Sequence, residues 1–396
     1  MARRRTVRGV KSGNMRAMLK AFVSILAVAT ALGPFQLYWG SSRDSRTKPV
    51  GTAGAGSPRA EHTWIVLTPS ELDPRLSREL EQMAARDQAL IRVVHRSGEA
   101  RRYRLRPGNL FLELREEKKA QSFFDALKRE ARNARLEPTD VLAREGYILE
   151  AFYPRASVPD RIRITATSPA GFHHALLRVP ELLTVWPSNL DSSLNPPVQA
   201  VRVDKNRTQA VLSDFPSFPV RGIVEGFYGR PWSHQDRLEV LRFEGQQAMN
   251  VYYYAPKDDP YHRTLWQEPY PPQEMSRLSE LAETARRNFV DFCFAISPGL
   301  SMRYSSDEDF SVLVRKLDSV ARLGVSCIAL FLDDVPPELQ DPQDQSRFKT
   351  LAQAHAYVVN KLYEHLKSRW PDARLTFTPT TYTNEWGSRD YIKELV

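Results

Sequence analysis

From Phe215 onward the chain alternates apolar, strand-like runs with amphipathic helical stretches, and no other feature restricts its fold so severely. Arg221–Glu225 reads as a first strand. Ser233 then opens a helix, with Asp236 three residues on as a capping partner. Asn250–Ala255 is a second strand, Met275–Arg287 a helix and Val290–Ser297 a third strand. Ser306 caps a helix whose first turn carries Asp307, Glu308 and Asp309, as the helix dipole favours. Cys327–Leu332 is a fourth strand. Gln345–Arg369 reads as one long helix with Phe348, Leu351, His355, Val358, Leu362 and Leu366 on one face, and Leu375–Pro379 as a fifth strand. Repeated βα units with apolar strands predict a parallel sheet covered by helices. A doubly wound sheet and a (β/α)8 TIM barrel both fit that pattern.

Polar residues collect after each strand: Glu225-Gly226-Phe227-Tyr228, Lys257-Asp258-Asp259, Ser297-Pro298-Gly299, Asp333-Asp334 and Thr380-Thr381-Tyr382. Chemistry drawn from the C-terminal ends of many strands favours the barrel. A dinucleotide fold would need G-x-G-x-x-G after its first strand, and Gly226-Phe227-Tyr228-Gly229-Arg230 lacks that spacing. The pattern stops at Val396 after about five βα units, whereas a complete barrel has eight. The expectation is that this chain alone is unstable or inactive and that the longer protein is active.

Ahead of this region, residues 61–200 read as a small α/β domain without a chemical motif. Strands are predicted at His62–Leu67, Ala89–Val94, Arg101–Leu105, Tyr147–Phe152 and Arg161–Thr167. Helices are predicted around Leu72–Met83, at Gln121–Arg132 and at Ser168–Leu183. His173 and His174 read as packing or surface residues rather than ligands. Residues 214–396 then form the N-terminal part of the TIM-barrel domain.

Residues 1–20 carry seven basic side chains and no acid, and an uncharged stretch from Ala21 to Ser42 follows. That order matches an export signal over residues 1–40, with an uncleaved membrane anchor as the alternative. Residues 41–60, rich in Ser, Gly, Arg and Pro, read as a disordered linker. The expected location is therefore outside the cytoplasm, either exported or membrane-anchored. Eleven basic residues and one acid within residues 1–60 give +10, which leaves −1 for the other 336 residues against a total of +9. The basic balance belongs to the targeting segment and does not argue for nucleic acid. Cys293 and Cys327 lie in strand-like runs and read as two buried free thiols, and neither has a Cys or His at a metal-ligand offset.

The candidate chemistry centres on Asp333 and Asp334, which close a buried strand. An isolated Asp-Asp is most simply one capping and one solvated carboxylate. At the end of a buried strand, mutual repulsion should instead raise one pKa toward the proton-donating range. Lys257 could contact a polar substrate or pair with Asp258 or Asp259. Tyr228 and Tyr382 offer an apolar face with a hydroxyl, and Gly226 and Gly229 permit close backbone approach or a tight turn. A divalent-metal site built on the acids is the weakest reading, because the other strand ends supply few hard ligands.

Arg221–Trp232 resembles the first barrel strand of glycoside hydrolase family 84. Tyr252–Asp259, Ala295–Gly299, Phe331–Val335 and Thr378–Tyr382 resemble its second, third, catalytic and fifth motifs. That family comprises β-N-acetylglucosaminidases, O-GlcNAc hydrolases and hyaluronoglucosaminidase-like enzymes. The resemblance implies removal of terminal β-linked N-acetylglucosamine from a glycan or glycoprotein, without cofactor or metal. The implied mechanism is retaining and substrate-assisted, and passes through an oxazoline, outside the usual two-carboxylate scheme. It further implies that Asp333 orients and polarises the acetamido group and that Asp334 is the proton donor and base. Gly226, Lys257, Tyr382 and Tyr228 would then contact the substrate. The alternatives are a carbohydrate-binding pseudoenzyme or an inactive fragment.

Overall fold

The computed structural model describes residues 62–95, 109–130, 144–153, 159–184, 194, 198–206, 208–381 and 389–395. The expected export signal and linker, the predicted strand Arg101–Leu105 and Tyr382 lie outside these residues.

The first part is built from β1 (Thr63–Leu67), α1 (Pro74–Arg86), β2 (Leu90–Val94), β3 (Leu110–Glu116), α2 (Ala120–Glu130), β4 (Tyr147–Phe152), β5 (Arg161–Ala166), α3 (Pro169–Leu176), α4 (Val179–Thr184), β6 (Ala200–Val203) and β7 (Gln209–Asp214). Its seven strands form one sheet in the order β2-β1-β3-β5-β4-β7-β6. β2, β1, β3 and β5 run parallel, and β4, β7 and β6 join antiparallel. On β5, Ile162, Ile164 and Ala166 are buried. Arg163 lies on the opposite face and bridges Glu113 at 2.9 Å and Glu150 at 3.2 Å, a cross-strand arrangement typical of a half-solvated face. Asp73 caps α1, ahead of Pro74 at its first position. β3, β6 and β7 were not anticipated from the sequence. The single helix expected over Ser168–Leu183 is divided into α3 and α4, and both histidines in α3 are buried.

The second part is regular. β8 (Gly222–Glu225), α5 (His234–Gln246), β9 (Val251–Tyr254), α6 (Pro272–Arg287), β10 (Asp291–Ile296), α7 (Asp307–Ala321), β11 (Cys327–Phe331), α8 (Pro342–Arg347), α9 (Leu351–Arg369), β12 (Arg374–Thr378) and α10 (Arg389–Leu395) follow in order. All five strands are parallel, and each pairs with its sequence neighbours. Ser233 and Asp236 form the anticipated capping box on α5, and Ser306 caps α7. The long helix expected over Gln345–Arg369 is broken, because the Thr350 hydroxyl accepts from Gln353 N and starts α9 afresh.

Strand alternation gives this sheet two unlike faces. Tyr252, Tyr254, Phe292, Phe294, Ile296, Ile328, Leu330 and Leu332 pack with the helices in one large core. The opposite face carries smaller residues: Val251, Ala255, Cys293, Ala295, Cys327 and Ala329, with Phe331 at the end. Here the free-thiol expectation is overturned. The parallel register sets Cys293 directly opposite Cys327, 4.4 Å apart at Cα, and the two form a disulfide. Burial alone does not distinguish a thiol from a disulfide. Register does, and it is not visible in the sequence.

Gly222 shows how tightly β8 meets β9. A Cβ at this position would lie 1.6 Å from the carbonyl oxygen of Val251, a backbone atom that side-chain motion cannot relieve. Gly222→Ala is therefore expected to cost about 3 kcal/mol or more. Chemical denaturation of the full-length protein checks this, and an unchanged midpoint would contradict it.

Contacts between the two sheets converge on the N-terminal ends of the second. Glu145 pairs with Arg221 and accepts from Asn250 Nδ2 at 2.9 Å. His173 sits between Glu79, at 2.8 Å, and the carbonyl of Gly245, at 3.2 Å. His174 donates from Nδ1 to the Glu145 carbonyl, and burial pushes it down to about 3. The paired histidines are thus packing groups at the junction.

Candidate active site

The carboxyl ends of the second sheet bring together side chains that are far apart in sequence. Beyond β11, the alternation that turns Phe331 to the small-residue face sends Asp333 the same way. Two bonds pin the backbone just before it: Leu332 N donates to Thr378 O at 2.9 Å, and the Thr380 hydroxyl donates to Leu332 O at 2.6 Å. Gly299 lets the loop after β10 press against the turn, since a Cβ there would meet Val335 Cγ1 at 2.5 Å.

Lys257 follows β9, and its ammonium reaches both acids. Nζ lies 3.4 Å from Asp333 Oδ2 and 3.0 Å from Asp334 Oδ2. It pairs with these and not with neighbouring Asp258 or Asp259. Tyr228, on the loop after β8, donates its hydroxyl to Asp334 Oδ2 at 2.5 Å. Gly226 adjoins the end of β8, where a Cβ would meet only Val224 at 3.4 Å, so the protein's own packing does not demand glycine there. Gly229 does need it, with φ at +114°.

The two acids differ sharply. The Asp333 side chain is 19% exposed, and its Oδ1 is buried with no hydrogen-bond partner among the described residues. Asp334 is 41% exposed. Tyr228 donation, followed by Lys257, lowers the Asp334 pKa below the ordinary carboxylate range and outweighs desolvation. The rise expected for one member of the pair is therefore not at Asp334.

Two strand-end acids are diverted to packing. Glu225 is buried on the helix side, gripped by Arg237 at 2.8 to 3.1 Å and by the Tyr252 hydroxyl. Asp259 accepts from the hydroxyls of Tyr254 at 2.9 Å and Tyr270 at 2.6 Å, and from the backbone of Tyr261 and His262. Sequence reasoning passed over Arg263, which sits beside Tyr228 and Asp334. Its position six residues after Lys257, in the same strand-end loop, was the available signal. Among the described residues, no group of three or more His, Cys, Asp or Glu side chains is placed to hold a metal ion. No described helix is long and apolar enough to cross a membrane.

Residues 221–396, which include every one of these side chains, match the family model described as beta-N-acetylglucosaminidase. That segment is similar to glycoside hydrolase family 84. The Protein O-GlcNAcases of Rattus norvegicus and Mus musculus are each 40% identical to this chain over 161 residues, 41% of this chain. The match spans 17% of the length of those curated relatives. The solved structure of CpGH84B aligns with a TM-score of 0.55 at 25% identity, over 84% of this chain and 50% of that one. Family 84 likeness in structure thus reaches beyond the matched segment into the α/β part that precedes it.

Proposed function

We propose that the protein removes terminal β-linked N-acetylglucosamine from glycans or glycoproteins by a retaining, substrate-assisted mechanism. The observation that carries this reading is the unequal pair. Asp333 presents a buried acceptor oxygen without a partner among the described residues, suited to the N–H of a 2-acetamido group. Asp334 is more exposed and is held by hydrogen-bond donors, suited to a group that exchanges protons. The acetamido carbonyl oxygen attacks the anomeric carbon while Asp334 protonates the departing oxygen. An oxazoline forms, with Asp333 stabilising its N–H. Asp334 then removes a proton from water, which opens the oxazoline with overall retention. A sugar seated over the pair removes water from Asp334 and disfavours its charged form, so proton uptake accompanies binding. Lys257, Gly226, Tyr228 and Tyr382 complete the substrate contacts.

The five strands support the first units of a TIM barrel over a doubly wound sheet. Their order never reverses, and the large helical core lies on one face only. The Cys293–Cys327 disulfide supports an exported location, since such bonds persist in oxidising compartments.

Replacing the substrate's N-acetyl group with N-trifluoroacetyl weakens the carbonyl nucleophile. The rate for the full-length protein should fall by at least about tenfold, or 1.4 kcal/mol in barrier. The matching glucoside, with only a 2-hydroxyl, should not be cleaved. A rate indifferent to the acyl group would refute substrate assistance.

A further inference from the structure

We infer that Arg263 is a positioning residue for the proton donor: it fixes the Tyr228 hydroxyl as a donor to Oδ2 of Asp334 and leaves Oδ1 as the oxygen that carries the proton. This rests on the reading of Asp334 as the acid/base. Arg263 lies on the loop between β9 and α6, with its side chain only 12% exposed. One guanidinium nitrogen donates to the Tyr228 hydroxyl oxygen at 2.9 Å, and another donates to the backbone carbonyl of Asp334 at 3.2 Å. A guanidinium has no acceptor, so in the first bond the tyrosine oxygen must accept. The single phenolic proton is then directed to Asp334 Oδ2 at 2.5 Å.

Lys257 donates to the same oxygen at 3.0 Å, and Arg263 itself comes within 3.6 Å of it. Among the described residues, every partner of the Asp334 carboxyl engages Oδ2. A carboxylic proton cannot sit on an oxygen already facing that many donors. Oδ1 therefore holds it in the acid step and receives it from water in the return step.

The loop that delivers Arg263 is fixed from below. The Lys316 ammonium, buried beneath it, donates to the carbonyls of Tyr261, Trp266 at 3.0 Å and Glu268 at 2.8 Å. The neighbouring His262 donates from Nδ1 to the Ala295 carbonyl at 2.8 Å, and burial pushes it down to about 4, so the ring is neutral. Tyr228, by contrast, is 66% exposed. Without Arg263 its hydroxyl is free to turn toward water.

The test compares Arg263→Met, Arg263→Lys and Tyr228→Phe in the full-length protein on two aryl N-acetylglucosaminides, one with a poor and one with an activated leaving group. The expected result is a loss in kcat/KM of about 10- to 100-fold on the poor leaving group, a fraction of what a general acid supplies. With the Arg263 variants the activated substrate should lose less than about threefold. Arg263→Lys should retain part of the rate, and combining Arg263→Met with Tyr228→Phe should cost no more than the worse single change. Tyr228→Phe removes one exposed hydroxyl and, if an arginine variant fails to fold, gives the same leaving-group bias on top of a uniform loss from its own substrate contact. Equal losses on both substrates, or none, would overturn the inference. Asp334→Asn, run alongside, separates the two failures. If it too shows no leaving-group bias, the acid assignment itself has failed.

Discussion

Asp334→Asn in the full-length protein is expected to lower kcat/KM for N-acetylglucosaminides with poor leaving groups by about 10²- to 10⁴-fold. Substrates that leave readily as anions need no proton, so their first step should survive. For these the loss should shift to hydrolysis of the oxazoline, where water has lost its base. An anionic nucleophile such as azide needs no base and should restore turnover. The geometry gives reason to expect this division. Asn keeps the volume and one acceptor, so Tyr228 and Lys257 still have a partner, and what disappears is the proton. Steady-state kinetics across a leaving-group series checks the outcome. A uniform loss across the series would instead indicate that Asp334 holds the sugar.

Glu225→Ala should act on stability. The carboxylate is 1% exposed and paired to Arg237, itself 15% exposed. Burial works against the Arg237 charge, and the hydrogen bonds and charge of Glu225 more than offset that. Removing one partner of a buried pair strands the other, at a cost of about 3–5 kcal/mol. For a domain of this size that is roughly 10 °C or more in Tm. Glu225→Gln, which keeps an acceptor for Arg237 and Tyr252, should cost less. Thermal unfolding decides between this and a catalytic role. If Tm were unchanged and only kcat fell, Glu225 would belong to the site.

The alternation of the second sheet was legible in the sequence because parallel strands buried on both faces read as continuous apolar runs, and because Ser233 and Ser306 mark helix starts. Asp333, Asp334, Lys257 and Tyr228 were legible as a group for the same reason: each follows a strand, and strand ends in such a sheet lie side by side. Three things were hidden. Which face a strand-end residue takes is set by a one-residue phase, which is why Glu225 and Asp259, in the same strand-end runs as the site residues, prove to be packing groups. Which cysteines meet is set by register. The first sheet was harder because β6 and β7 are short antiparallel strands, with Arg202 and Ser213 interrupting their apolar pattern. Arg263 was missed for a different reason: its place after Lys257 marks only the loop, while its partners are a hydroxyl and a backbone carbonyl from two other loops, and no spacing rule joins them.

The covalent rung between β10 and β11 lies on the face that continues upward into Asp333. Hydrogen bonds between strands can open one at a time, but this link cannot. The two strands therefore breathe as a single ribbon, and the floor beneath the acids keeps its width while they do. Under the proposed function, whatever give the mouth needs must come from elements other than this pair of strands, the loop carrying Tyr228 among them.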